Sequence, residues 1–213
     1  NTLQIREFLD NQNISDVADL INDFPGHEAF IINHMSIHRA VSVFKIIDHS
    51  VQKQIIHELS AYKTAELLNA LSPDDRTDFL EELDSNVLRE LIKLLNPEER
   101  KITLSLLGYP EDSIGRLMTP DYVYVYPENT IEEVFATIRK FGKDSETIHV
   151  IYVINEKGEL LDDIKLRDFI LSQPDNKVSD LMNYRVTSLN SYDDQETASE
   201  VFKKENRVAL PVV

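Results

Sequence analysis

Cysteine is absent from this 213-residue chain, glycine is scarce, and no long hydrophobic run occurs. The lack of cysteine excludes disulfide bonds, thiolate catalysis and cysteine-ligated zinc, and it is compatible with a reducing compartment. A count of 5 glycines and a hydrophobic content of 42% are typical of an ordered chain. No apolar stretch approaches the roughly 20 residues that a membrane-spanning helix needs, and no signal-peptide pattern is visible.

Basic residues are also in short supply, with 22 lysines and arginines against 38 aspartates and glutamates and a formal net charge of −16. Nucleic-acid binding needs basic side chains that neutralise phosphates, so this balance argues against a nucleic-acid partner. An acidic surface most often serves solubility. It also suits a protein that collects hard cations, because Mg²⁺ and Ca²⁺ prefer carboxylate oxygens. Composition alone leaves both interpretations open.

Residues 1–108 carry a helical pattern with a 24-residue period. Four positions mark the period: Pro25, His49, Pro73 and Pro97. Ser72 and Asn96 precede two of these prolines and are suited to cap helices with an acidic first turn. Helices of about ten residues are unstable alone, so each must pack on its neighbours. The period therefore predicts a superhelical stack of helical hairpins, an architecture that usually presents a face to a partner.

The pattern changes after residue 120, where two similar α/β units follow each other. The first predicts the order strand, helix, strand, strand, helix over residues 122–126, 131–141, 149–154, 160–164 and 166–171. Thr130 and Glu133 form a capping box before its first helix. The second unit predicts a strand, a helix and a strand over 185–189, 194–205 and 208–213, and then stops. We therefore expect an incomplete second copy and interpret the chain as part of a longer protein.

The junction between the two halves carries the most specific motif, Tyr109-Pro-Glu-Asp-Ser-Ile-Gly-Arg-Leu-Met-Thr-Pro120. The α/β repeat, with Leu210-Pro-Val-Val213 in its second copy, resembles a pair of cystathionine-β-synthase (CBS) domains. The junction resembles the linker between the helical N domain and the CBS pair of MgtE-type magnesium transporters. The implied fold class is α plus α/β. It consists of a helical N domain (1–108), a linker (109–120), a first CBS domain (121–180) and a truncated second CBS domain (181–213).

In the family that this chain resembles, a helix of the N domain contributes carboxylates to Mg²⁺ sites that face the CBS domains. Asp74 and Asp78 lie four residues apart, so both project from one helix face, where their mutual repulsion turns favourable with a cation between them. With the adjacent Asp75 they are the candidate metal ligands of the N domain. The alternative is a polar face at a helix start, where aspartate is favoured.

Asp194 and Glu196 open a helix of the second CBS copy and are further candidate Mg²⁺ ligands by resemblance. Their alternative role is to cap that helix. Nearby, Lys203 stands where the family is expected to have a small residue, and Asn206 where it is expected to have an acid. Lys203 repels a cation, which argues against a metal site at that point.

CBS domains often bind adenine nucleotides with an aspartate that follows a serine or threonine by three residues. Asp168 matches this aspartate and is the candidate nucleotide ligand, whereas Lys165 replaces the hydroxyl residue. Asp162 stands where a glycine is usual and crowds the approach of a ligand to the backbone. The alternative for Asp168 is a cap or an ion pair with a neighbouring arginine.

No motif in the chain is typical of an enzyme. His34 and His38 have the spacing of a metal pair, but no zinc motif surrounds them. Glycine-rich phosphate loops and Ser-His-Asp arrangements do not occur. We therefore expect a regulatory protein without catalytic residues.

Three functions remain open. The first is the cytosolic Mg²⁺-sensing region of a magnesium transporter or channel, a homodimer through its CBS domains at the cytoplasmic face of the membrane and joined to its own transmembrane domain. Mg²⁺ would bridge the acidic faces of the N and CBS domains and favour a closed pore. The second is an adenine-nucleotide-sensing CBS module on a helical protein-interaction scaffold. A helical adaptor similar to armadillo-type flagellar switch proteins explains only the first half.

Overall fold

The structure, a computed structural model, describes residues 2–143 and 145–213. It divides the chain into two compact units, Asn1–Leu107 and Gly108–Val213, which we call unit 1 and unit 2. Among the described residues, no helix has both the length and the hydrophobicity that crossing a membrane requires.

Unit 1 is helical throughout its described residues. The helices are α1 (Thr2–Asn11), α2 (Ile14–Asp23), α3 (Glu28–Asn33), α4 (Ile37–Phe44), α5 (His49–Glu58), α6 (Ala61–Ala70), α7 (Pro73–Glu81), α8 (Ser85–Leu94) and α9 (Pro97–Leu107). Helices two positions apart along the chain pack on each other in five pairs: α2 on α4, α3 on α5, α4 on α6, α6 on α8 and α7 on α9. The predicted stack of short helices is confirmed.

The 24-residue period holds for three of its four marked positions. Helices α5, α7 and α9 begin at His49, Pro73 and Pro97. Pro25 is different, because it lies in a turn with Gly26 at a φ of +87° and the next helix begins only at Glu28. A left-handed residue directly after the proline stops the helix from starting there.

The two predicted caps also differ from each other. Asn96 accepts a hydrogen bond from the backbone N–H of Glu99 at 2.9 Å, as a helix cap does. The Ser72 hydroxyl instead donates to Asp75 Oδ2 at 2.7 Å and accepts no capping hydrogen bond. The Ser72 hydroxyl therefore pairs with the Asp75 carboxylate and not with a backbone N–H of α7.

A second feature of the 24-residue period is a side chain that donates to the end of the preceding helix and is buried at Gln52 and Arg76 and half-buried at Arg100. Gln52, Arg76 and Arg100 donate to carbonyl oxygens at the ends of α4, α6 and α8, at 2.7 to 3.4 Å. The last carbonyls of a helix have no partner within it, so these donors satisfy groups that would otherwise be stranded. Glu28 on α3 occupies the equivalent position 24 residues before Gln52. Its buried Oε2 has no hydrogen-bond partner.

Arg76 is the most buried of these donors, with no exposed surface. Besides the carbonyls at the end of α6, it pairs with Glu99 and donates to Thr103 Oγ1 at 2.9 Å. The guanidinium therefore joins α6, α7 and α9 in the interior of unit 1.

Unit 2 contains a three-stranded sheet with helices. Its elements are α10 (Ile114–Leu117), β1 (Tyr124–Val125), α11 (Ile131–Phe141), β2 (Val150–Ile154), β3 (Leu160–Lys165), α12 (Leu166–Ile170), a 3₁₀ turn (Val178–Asp180) and α13 (Gln195–Glu205). Strand β2 is central, parallel to β1 and antiparallel to β3. The predicted order of the first copy is confirmed, and the capping box of Thr130 and Glu133 is present.

The second copy has less sheet than predicted. Its two expected strands, at 185–189 and 208–213, reduce to a parallel bridge between Leu189 and Val212. Leu189 N–H donates to the Pro211 carbonyl, and Val213 N–H donates back to the Leu189 carbonyl, both at 2.9 Å. Two short segments without a third strand beside them form only a marginal ladder.

The junction motif is held to the start of the second copy. Ile114 N–H donates to the Asp193 carbonyl at 2.8 Å, and Gly115 N–H donates to the Ser191 carbonyl at 2.7 Å. A side chain at Gly115 would place its Cβ 2.5 Å from the Tyr109 ring and 2.9 Å from the Ser191 oxygen. The glycine of the motif is therefore required by a close approach of backbone and ring.

Replacing Arg76 with methionine should lower the free energy of unfolding of unit 1 by about 3–5 kcal/mol, because Glu99 and buried carbonyls lose their partner. Urea unfolding followed by circular dichroism measures the change. The matched control is Lys93→Met, which breaks an exposed ion pair with Glu90. This control should cost less than about 1 kcal/mol. Equal losses in the two variants would contradict the role given to Arg76.

Candidate metal and nucleotide sites

The structure brings Asp74, Asp75 and Asp78 together on α7. Arg76 and Phe79 of the same helix turn into the core of unit 1, so the three aspartates follow the other side of the helix. Asp74 and Asp75 also lie in the first turn of α7, where the positive end of the helix dipole favours negative charge. We call these three residues the α7 acidic row.

Two members of the α7 acidic row face basic side chains. Lys45 Nζ lies 3.6 Å from Asp75 Oδ2, and His49 Nε2 lies 3.6 Å from Asp78 Oδ2. The four side chains keep between 30% and 59% of their surface exposed. Ion pairs as exposed as these are weak, about 0–1 kcal/mol each. A competing cation therefore displaces them at little cost.

The neighbours of His49 determine which of its nitrogens carries a hydrogen. Gln52 Nε2 donates to the Phe44 carbonyl at 2.7 Å, which leaves Gln52 Oε1 facing His49 Nδ1 at 2.8 Å. Since Oε1 only accepts, Nδ1 must donate. The Nε2 atom that faces Asp78 is thus a donor only when the imidazole holds both protons.

Asp74 differs from its two neighbours in the row. Its Oδ1 is buried and has no hydrogen-bond partner. A buried carboxylate oxygen without a partner costs free energy, which a bound cation or its water would recover. Glu28 Oε2 on α3 is likewise buried without a partner, but within the α7 acidic row this oxygen of Asp74 is the feature that fits a metal ion.

The row is not a complete metal centre. Within residues 2–143 and 145–213, no group of three or more histidine, cysteine or acidic side chains is placed to hold a metal ion. Mg²⁺ typically keeps several of its waters and uses one or two carboxylates. The oxygen ligands of the row suit such a hydrated ion and do not form a closed cage.

Asp194 and Glu196 lie in unit 2. Asp194 caps α13, since its Oδ1 accepts from Thr197 N–H at 2.7 Å, and this backbone hydrogen bond lowers the pKa of Asp194. Glu196 is exposed in the first turn of the same helix. Asp194 Oδ1 is therefore used by the helix cap. The second Asp194 oxygen and the Glu196 carboxylate are the groups that remain to bind a cation.

The candidate nucleotide residue Asp168 is exposed on α12. The neighbouring Asp162 is fully buried, and its carboxylate accepts from the backbone N–H groups of Asp163, Asn183 and Tyr184 at 2.6 to 2.9 Å. Tyr184, one of these donors, has a left-handed backbone with a φ of 58°. Asp162 thus holds the segment that connects the two copies.

A cavity of about 460 Å³ lies between the first copy and residues 206–208 of the second. We call it the inter-copy cavity. Its polar lining is His149, Lys165, Arg167, Asn206 and Arg207. None of the described residues that line it is acidic, although the chain as a whole carries a net charge of −16. The cavity is therefore suited to an anion with an apolar part.

Arg207 joins the inter-copy cavity to the sheet. Its Nη1 and Nη2 donate to the two carboxylate oxygens of Asp163 on β3, at 2.5 and 3.2 Å. The Asp163 side chain is 1% exposed and that of Arg207 is 19% exposed. Burial raises the pKa of Asp163, and the charge and hydrogen bonds of Arg207 oppose that rise. Sequence reasoning missed this pair, because nothing local marks an arginine 44 positions away as the partner.

On acidification Asp163 should gain a proton before an ordinary aspartate, whereas Asp194 should stay charged to lower pH. For Asp163, the contribution to stability is present below its unfolded pKa and is lost as the pH rises through the raised folded pKa. For Asp194 it is present above the unfolded pKa and lost as the pH falls through the lowered folded pKa. A ¹³C NMR titration of the carboxyl groups measures both midpoints, and an Asp163 midpoint below that of Asp194 would contradict this assignment.

Family models match most of the chain. Residues 12–112 match the model described as the MgtE intracellular N domain, and residues 114–174 match the CBS domain. The chain is 38% identical over 108 residues to "Magnesium transporter MgtE" of Bacillus subtilis, and 40% identical over 109 residues to the protein of the same name from Thermus thermophilus. Each match covers 51% of this chain but 24% of the relative.

Two solved structures superpose on the whole chain. One is "Crystal structure of the cytosolic domain of the Mg2+ channel MgtE in complex with ATP", with a TM-score of 0.95, 32% identity and 88% of that chain covered. The other is "Crystal structure of the soluble part of a magnesium transporter", with a TM-score of 0.91, 24% identity and 84% covered. At its lower identity, the second supports the fold alone.

Proposed function

Since this chain belongs to the MgtE family of magnesium transporters, with its N domain and CBS domain, we propose that it is the Mg²⁺-sensing regulatory region of a magnesium transporter or channel. The observation that carries the proposal is the α7 acidic row, in which Asp74 has an orphaned oxygen while the basic partners of Asp75 and Asp78 are partly exposed. The role is regulatory and not catalytic.

The mechanism is an electrostatic clamp. Without Mg²⁺, the acidic faces of the N and CBS domains repel each other in a chain of net charge −16. With Mg²⁺, hydrated ions are shared between the α7 acidic row and carboxylates of the CBS region, for which Asp194 and Glu196 are the candidates. Binding through few carboxylates is weak and suits a sensor of millimolar Mg²⁺. The compact state then favours a closed pore, because a ligand shifts a conformational equilibrium towards the state that it binds better.

This function implies partners and a location. The region works next to the transmembrane domain of its own protein, at the cytoplasmic face of the membrane, and pairs with a second copy through the CBS domains. The acidic balance continues to argue against nucleic acid.

Small-angle scattering of the chain during a Mg²⁺ titration to about 20 mM tests the clamp, since this range covers weak divalent sites. The radius of gyration should fall and saturate with Mg²⁺ and should not fall with K⁺ at equal ionic strength. Asp74→Asn/Asp78→Asn should abolish the fall, because it removes two charges of the α7 acidic row.

The matched control for this titration is Asp19→Asn/Asp23→Asn. These two exposed aspartates have the same four-residue spacing on α2 of the same unit, so the change in net charge is identical. The control variant should compact as the unmodified chain does. Equal loss of compaction in both variants, or compaction by K⁺ alone, would contradict a site on α7.

A second candidate function is adenine-nucleotide sensing, which the inter-copy cavity favours. Three cationic side chains, Lys165, Arg167 and Arg207, line the cavity beside apolar residues, a combination that suits a phosphate chain joined to a base. The related structure that contains ATP supports this candidate. The two functions are compatible, since they use different parts of the chain.

Calorimetric titration with ATP tests the second candidate. Lys165→Gln should weaken ATP binding by about tenfold, which corresponds to one charge-assisted hydrogen bond. The control is Lys157→Gln, in the turn between β2 and β3 and away from the cavity lining. If the two variants lose affinity equally, the cavity is not the binding site.

A further inference from the structure

Arg207 has two roles that draw on the same guanidinium group. It lines the inter-copy cavity, and it also forms the bidentate ion pair with Asp163. A guanidinium has five N–H donors, and the pair uses one from each terminal nitrogen. The remaining donors form no hydrogen bond within the part of the chain that the structure describes. Arg207 is therefore able to contact an anion in the cavity.

The Asp163 carboxylate reduces what Arg207 offers to such an anion. Asp163 is almost fully buried and lies on β3, so it has no route to solvent that would take its charge away from the guanidinium. In a poorly solvated position the negative charge offsets most of the positive charge of its partner. An anion in the inter-copy cavity consequently meets a guanidinium whose charge is already largely offset by Asp163.

The geometry points to a negative coupling between the two interactions: we propose that an anionic ligand in the inter-copy cavity competes with Asp163 for Arg207, so that occupancy loosens the contact between the two copies. This inference rests on the second candidate function, anion binding in the cavity. The class of ligand is a polyphosphate, free or joined to a nucleoside.

Coupling free energies are reciprocal. The proposal can therefore be measured through the affinity for the anion or through the strength of the Arg207–Asp163 ion pair. If the ion pair weakens anion binding by a given factor, a bound anion weakens the ion pair by the same factor. Binding of the second copy's segment 206–208 to β3 then depends on the occupancy of the cavity. Occupancy of the cavity by an anion is in this way transmitted to the Arg207–Asp163 contact inside unit 2.

The test is calorimetric titration of the chain with ATP and, in a separate arm, with inorganic tripolyphosphate. Asp163→Asn keeps a hydrogen-bond acceptor but removes the charge, so it should tighten binding by about tenfold, the size of one hydrogen bond to a charged group. The matched control is Glu128→Gln, which makes the same charge change at the exposed pair with Lys177 and should alter affinity by less than about twofold.

Side-chain ¹⁵N NMR of Arg207 gives a second readout, because the guanidinium signals should move when ATP is added. If Asp163→Asn does not fold, Arg207→Gln takes its place and should weaken binding by at least about tenfold. Tightening with ATP alone identifies a nucleotide, and equal tightening with tripolyphosphate identifies a simple polyanion.

The failures of the two ideas are distinguishable. If ATP binds the unmodified chain but Asp163→Asn and Glu128→Gln change its affinity equally, the coupling is wrong and the nucleotide function stands. If neither ATP nor tripolyphosphate binds any variant, the anion-binding function itself is wrong, and the coupling fails with it.

Discussion

The structure of unit 1 depends on how its short helices satisfy their last carbonyl groups. In helices of about ten residues, four unpaired carbonyls are a large share of the backbone. Gln52, Arg76 and Arg100 supply the missing donors in three successive 24-residue steps. Because Arg76 must face inwards on α7, the neighbouring Asp75 and Asp78 are turned away from the core. The placement of the acidic row is thus a consequence of the packing.

Unit 2 separates charge in the opposite sense. Three of its cationic side chains, Lys165, Arg167 and Arg207, line the inter-copy cavity, while the buried carboxylates of Asp162 and Asp163 are satisfied by backbone N–H groups and by Arg207. A cavity with a basic lining in an acidic chain selects for anions, whereas the acidic outer surface attracts cations. The two proposed ligands, Mg²⁺ and a polyphosphate, therefore have physically distinct places to bind.

Local patterns predicted the local structure well. The helix starts at His49, Pro73 and Pro97, the capping box at Thr130 and the strand order of the first copy all follow from spacing and residue type. The features that the sequence did not predict depend on backbone conformation and on contacts between residues distant in sequence. The turn at Pro25 depends on the next residue's backbone conformation, and the two expected strands of the second copy form only a single bridge between Leu189 and Val212. The distant partners of Asp162 and Asp163 lie 21 to 44 positions away, and no sequence pattern predicts them.

The central claim is that the carboxylates of α7 bind the ion that this region senses. The most direct measurement is paramagnetic broadening of backbone NMR signals by substoichiometric Mn²⁺, which shares the oxygen ligands of Mg²⁺, with added Mg²⁺ as competitor. The account predicts that signals around Asp74 and Asp78 broaden first and recover when Mg²⁺ is added. Broadening centred on Asp19 and Asp23, or uniform broadening across all acidic helices, would contradict it.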